Sequence, residues 1–156
     1  MSSFHTLPRI LRSTAKISVL TIACCCVLPG YASAKDTDSD ILGTWKLTKV
    51  LDSADVASMD EHGAAALLGK TLVVRRDSVS FAGEPCRAPE LTRRREPTAQ
   101  YIREGYHARV GMLDLPEHVT VIDLQCTEAL LKRKGKIVVF WDGFFFDAVK
   151  QPSGGR

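Results

Sequence analysis

Apolar and polar positions alternate along Ile41–Thr48. Trp45 and Leu47 fall on one side of an extended chain, and Thr44, Lys46 and Thr48 fall on the other, the pattern of a half-buried strand. The period then changes. Ser58 or Asp60 is suited to cap a short helix with the body Ala64–Leu68, and Gly69 supplies its stop. From Lys70 onward the pattern predicts strands separated by turns. Thr71–Arg75 and Val79–Phe81 flank Arg76-Asp77-Ser78 as a hairpin, and Gly83–Pro97, with three prolines and a basic run, reads as a long loop carrying Cys86. Ala99–Val110 is compatible with either strand or helix. Val119–Cys126 is a strand with Ile122, Leu124 and Cys126 on one face, and Ala129–Arg133 follows before a turn at Lys134-Gly135.

The strongest local signal is near the end. Ile137–Trp141 and Phe144–Val149 are separated only by Asp142-Gly143, a pair suited to a type I′ turn because both positions take positive φ. That register pairs Trp141 with Phe144, Val139 with Phe146 and Ile137 with Ala148, so one apolar face must be core. The opposite face carries Val138, Phe140, Phe145 and Asp147, and something must cover its two phenylalanines: the short helix, the long loop or another subunit. With about eight short strands and one short helix, the expected fold is mainly β. An antiparallel barrel or a strongly bent sheet is the economical way to remove so many edges.

Ahead of this pattern lies a leader. Basic residues Arg9, Arg12 and Lys16 precede an apolar run from Ile17 to Leu28, then Pro29-Gly30 and the small residues Ala32-Ser33-Ala34. These are the parts of a secretory signal cut near Ala34-Lys35, and a run of about 12 is short of the roughly 20 residues a spanning helix needs. Ile22-Ala23-Cys24 resembles the end of a lipobox, so a lipoprotein anchored at Cys24 is the alternative. The expected organisation is a signal over 1–34, a flexible lead-in over 35–40, one domain over 41–150 and a flexible tail over 151–156. The 156 residues suit a single domain. The net charge of +3 comes from the leader: without its three bases, 18 basic residues face 18 acidic ones, which argues against a nucleic-acid partner. Cys24, Cys25 and Cys26 leave with the leader, so Cys86 and Cys126 remain as an even pair in an oxidising compartment. A disulfide between them closes a loop of about 40 residues, worth roughly 4 kcal/mol on a chain-entropy basis. No C-x-x-C is present, and no histidine lies at ligand spacing from either cysteine.

The Gly43-Thr44-Trp45 segment at the start of the first strand resembles the lipocalin signature. The resemblance implies an eight-stranded up-and-down barrel with a ligand cavity in its mouth. It also implies a basic side chain near the end of the last strand packed over the tryptophan, a position that Lys150 occupies. The chain is shorter than most lipocalins, and its helical segment follows the first strand rather than the last. A small lipocalin-like (calycin) domain of bacterial exported type is therefore the closer description.

Candidate chemistry is sparse. No nucleophile elbow, metalloprotease motif, phosphate loop or Ca²⁺ loop occurs, so neither an enzyme nor a cofactor is expected. His62 beside Asp60 and Glu61 reads as a solvated helix end, and His118 as a surface turn residue. In an extended chain Tyr101, Arg103, Gly105, His107 and Arg109 would share one face, suited to an anionic ligand if inward and otherwise exposed. Arg93-Arg94-Arg95 and Lys132-Arg133-Lys134-Gly135-Lys136 read as solvated loop charges or as contacts to an acidic surface. Two function classes follow. One is a barrel binding a small apolar or amphipathic ligand, lined by Trp45, Phe81, Trp141, Phe144, Phe146, Tyr101 and His107. The other is a protein-binding barrel of inhibitor or immunity type, using Phe140, Phe145 or the basic loops.

Overall fold

The computed structural model describes residues 38–86, 91–133 and 135–152. The leader with Cys24, the Ala34-Lys35 cleavage point, Lys134 and residues 153–156 of the tail lie outside the described residues. The fold is mainly β. Nine antiparallel strands form one curled sheet: β1 Gly43–Ser53, β2 Thr71–Val74, β3 Val79–Phe81, β4 Glu84–Pro85, β5 Thr92–Pro97, β6 His118–Asp123, β7 Glu128–Leu131, β8 Lys136–Trp141 and β9 Phe144–Lys150. Their order across the sheet is β4-β3-β2-β1-β9-β8-β7-β6-β5. The architecture is thus the strongly bent sheet, with β4 and β5 at its two edges, rather than a closed eight-stranded barrel.

Two sequence expectations are corrected. The stretch Gly83–Pro97 is not one loop, because its basic run forms β5, paired from Thr92 to Pro97 with β6. Charged side chains and a terminal proline are what an edge strand tolerates, and they hid the strand in the sequence. The described residues hold two helices rather than one, α1 Glu61–Ala66 and α2 Thr98–Tyr106, followed by a 3-10 turn at Val110–Met112. Ala99–Val110 is therefore helical in its first part, and the period-2 face of Tyr101, Arg103, Gly105, His107 and Arg109 does not exist. At the end of the lead-in, the amides of Ile41 and Leu42 donate to the Asp38 carbonyl at 3.1 and 3.2 Å.

Other expectations hold. Asp60 caps α1 by accepting from the Gly63 amide at 2.8 Å, and Gly69 turns the chain at φ +84°. The β8–β9 hairpin has the register read from Asp142-Gly143, with φ of 47° and 92° at the two turn residues. Cys86 and Cys126 form a disulfide with Cα atoms 5.6 Å apart.

The two faces of the sheet bury separate cores. The inner face holds Trp45, Leu47, Leu72, Val74, Val79, Phe81, Ile122, Ile137, Val139, Phe144, Phe146 and Ala148. Phe81 stacks on Trp141 with ring centroids 4.0 Å apart, so β3 and β8 meet across the curl. Trp45 donates its indole N–H to the Ile41 carbonyl at 2.7 Å, and the Lys150 ammonium lies 5.2 Å from its ring centroid. Gly43, at φ +130°, makes room for this pair, since a Cβ there would stand 3.0 Å from Lys150 Cε. On the outer face, Ile102, Ala108 and Leu113 cover Val119, Val121, Leu130, Val138 and Phe145. The cover over Phe140 and Phe145 is thus α2 and the turn behind it, rather than the short helix or the long loop expected.

Two links hold the open seam. The disulfide ties the end of β4 to the β6–β7 turn. Arg93 on β5 reaches the start of β1 and pairs with Asp40 at 2.6 Å and Asp38 at 3.5 Å. The second basic cluster is partly internal as well. Lys132 keeps only 6% of its side chain exposed and pairs with Asp147 at 3.0 Å, while Arg133 is exposed.

Untreated protein should show no free thiol from Cys86 or Cys126 in a denaturing thiol titration, and Cys86→Ser should lower stability by about 2–5 kcal/mol. Two titratable thiols at these positions would refute the clasp. The hairpin gives a second check. A Cβ on Gly143 would stand 2.3 Å from Ala57 Cα, because residues 54–58 cross the turn and the Ala54 amide donates to the Gly143 carbonyl at 2.7 Å. Gly143→Val should therefore cost about 2 kcal/mol or more in denaturant melts.

Candidate functional site

Antiparallel register builds a row across the outer face. Asp123 of β6 stands opposite Glu128 of β7, Glu128 opposite Phe140 of β8, Phe140 opposite Phe145 of β9, and Phe145 opposite Asp52 of β1. Paired residues share a face, so carboxylates and aromatic rings lie side by side. The last turn of α2 lands on this row. Tyr106 packs on Phe140 with centroids 4.3 Å apart, meets Phe145 edge-on at 5.2 Å, and meets Tyr101 edge-on at 5.5 Å.

At the centre is Glu128. Arg94 of β5 donates to its Oε1 at 2.5 Å, Tyr101 donates to Oε2 at 2.5 Å, and Tyr106 donates to the same oxygen. Arg94 also donates to the Tyr101 hydroxyl at 2.6 Å, with its guanidinium carbon 5.3 Å from that ring's centroid. The two hydroxyls are 3.1 Å apart. Burial favours the neutral acid, but the hydrogen bonds from Tyr101, Tyr106 and Arg94 outweigh it and hold the Glu128 carboxyl below its ordinary pKa. Burial and the bond to Glu128 push both tyrosines up. Burial opposes the Arg94 charge, yet Glu128 and Tyr101 prevail and raise its pKa. Arg94 also pairs with Glu96 at 3.6 Å, so its guanidinium is shared between two carboxylates.

Beside it opens a cleft of about 640 Å³. Tyr101, Gly105 and Tyr106 of α2 line one side, Asp123 to Glu128 without Leu124 another, and Phe140 to Gly143 with Val56 and Ser58 the rest. The β6–β7 turn is shaped by its own residues: Gln125 takes φ 69°, and its amide donates to Asp123 Oδ1 at 2.7 Å. The Leu124 amide donates to the Thr127 carbonyl at 2.9 Å, and Thr127 Oγ1 donates to the Phe140 carbonyl.

The residues expected to line a ligand cavity are divided. Trp45, Phe81 and Phe146 are 2%, 2% and 0% exposed and belong to the inner core with Phe144, so they do not join the cleft. Trp141 and Tyr101 line it. His107 does not, since it is the exposed C-cap of α2 at φ 52°. His62 and His118 are also exposed. Of the residues named for partner contacts, Phe145 is fully buried and Phe140 is half-buried against Tyr106. The sequence reading missed Glu128 and the inward role of Arg94 and Tyr106. The available signal was helical spacing, since Thr98, Tyr101, Ile102 and Tyr106 fall on one face of a 3.6-residue period.

Glu128 is harder to protonate in the folded chain, so its charge stabilises the fold above about pH 4.5 and that contribution is lost as pH falls through the lowered value. Glu128→Gln should cost about 2 kcal/mol at pH 7. The gap from wild type should narrow below pH 4.5 in acid-range denaturant melts, and a pH-independent gap would contradict the pairing.

In comparisons with known protein families, curated proteins and solved structures, nothing matches the chain.

Proposed function

We propose that this chain is an exported, non-enzymatic binding protein for a small amphipathic ligand. Its seat is the cleft beside the Glu128 network rather than the interior of the curled sheet. One observation carries the reading: a cleft of about 640 Å³ whose aromatic side chains are already held by a hydrogen-bonded carboxylate. That size falls within the roughly 300–1,000 Å³ of small-ligand sites, and side chains fixed before binding lose little freedom on binding. The inner aromatics support this choice by being packed against one another. Export rests on the leader and on a cysteine pair suited to an oxidising compartment. The likeness to lipocalins, carried by Gly43, Trp45 and Lys150, belongs to the same proposal.

Gly105 provides the test. It lines the cleft, and a Cβ there meets nothing within 4 Å. Gly105→Leu should fill the space while raising α2 stability by up to about 1 kcal/mol. In native mass spectrometry of protein purified from its own periplasm, wild type should carry a small-molecule adduct that Gly105→Leu lacks at unchanged fold. An adduct retained by the variant, or a bound second protein in its place, would overturn the proposal.

A further inference from the structure

We propose that the cleft selects an organic cation, an ammonium or guanidinium borne on a small apolar body. The inference rests on reading the cleft as a ligand site and adds the sign of the ligand's charge. It begins from the sheet register. Asp123 stands directly opposite Glu128, and like charges in that relation destabilise a strand pair. Glu128 is compensated by Arg94 at 2.5 Å, whereas among the described residues the Asp123 carboxylate has only the Gln125 amide of its own turn. Asp142, which also lines the cleft, makes no ion pair among the described residues. Among the described residues, no lysine, arginine or histidine lines the cleft. Asp123 and Asp142 therefore line the cleft with no partner charge among the described residues.

The walls agree with the rim. Tyr101, Tyr106, Phe140 and Trp141 present aromatic surface, which attracts cations and covers apolar groups at once. The tyrosine hydroxyls spend their protons on Glu128, so they offer the cleft lone pairs rather than donors. A ligand that satisfies these groups must bring N–H or polarised C–H groups and positive charge. An anion would face carboxylates, and a neutral hydrocarbon would leave them without a counter-charge. A bare metal ion is also disfavoured, since no three ligating side chains converge among the described residues.

The experiment follows the backbone amides of Thr127, Glu128, Trp141 and Gly143 by NMR in protein purified from cells expressing the full chain. The probes are benzyltrimethylammonium, benzyl alcohol, benzenesulfonate and calcium chloride, each titrated at low salt. The comparison variant is Asp123→Asn with Asp142→Asn. Asn keeps the acceptor for the Gln125 amide and suits the positive φ at 142, so the fold should be retained and its melt confirms this. Benzyltrimethylammonium should bind at least ten-fold more tightly than benzyl alcohol, benzenesulfonate should bind least, and the double variant should lose the ten-fold preference. Equal binding of cation and neutral probe, or a preference that survives the double substitution, would overturn the charge assignment and leave the cleft as a ligand site. Shifts from calcium alone would overturn it in favour of a metal site. Silence from all four probes would overturn both the charge assignment and the cleft reading.

Discussion

The pairing of β1 with β9 joins two meanders that would otherwise be separate sheets, β1 to β4 and β5 to β9. β1 is 11 residues long and lies between β2 and β9, with register shifts at Leu47/Lys49 and Val50/Asp52. Bulges of this kind bend a strand and raise its twist. The bend lets Trp45 and Leu47 share one apolar interior with Leu72 and Phe81 on one side and Val139 and Phe146 on the other. The shifts also set the phase at the far end of β1, where Asp52 comes opposite Phe145 on the outer face. The charge of Lys150 stays at the end of the interior because the Trp45 ring and the Asp40 carbonyl, 3.3 Å away, both hold it there.

A sheet with apolar side chains on both faces needs two covers. Curling supplies the inner one. The outer one is α2, placed by bonds at its start: the Thr98 amide donates to the Glu117 carbonyl at 2.9 Å, and the Thr98 hydroxyl to the Pro116 carbonyl at 2.5 Å. The helix is only nine residues long and ends where His107 turns left-handed. It covers Val121, Leu130 and Val138 and stops short of Asp123 and Asp142. The cleft is the part of the outer face the helix is too short to close.

Legibility in the sequence followed the range of the determining forces. The Asp142-Gly143 hairpin was readable residue by residue because a two-residue turn fixes register locally. Trp45 with Lys150 was readable from a short motif at each chain end. The second helix was obscured by Pro97 before it, Gly105 within it and tyrosines that suit strands, and tertiary packing decided it. β5 was hidden because its arginines answer to distant partners: Arg93 to Asp38 and Asp40, Arg94 to Glu128. Glu128 itself carries no local mark. Its role depends on a strand 34 positions upstream and a helix 22 to 27 positions upstream meeting at one oxygen pair.

The clasp of the seam and the shape of the cleft share one residue. Cys126 lies in the cleft wall and is bonded to Cys86 at the end of β4. The turn that carries it places Asp123, Thr127 and Glu128 in that same wall. Cross-linking restricts the unfolded chain. In the folded chain it also ties this turn to the opposite edge of the sheet, across 40 positions of sequence. The turn is already constrained from within by the Asp123–Gln125 bond and from β8 by the Thr127–Phe140 bond. The disulfide adds a tie that neither α2 nor the β6–β8 ladder provides. A site that confronts two like charges across a strand pair needs that rigidity, because a mobile turn would relieve the repulsion by moving Asp123 away. The carboxylate wall thus keeps its form while the Cys86–Cys126 bond is closed.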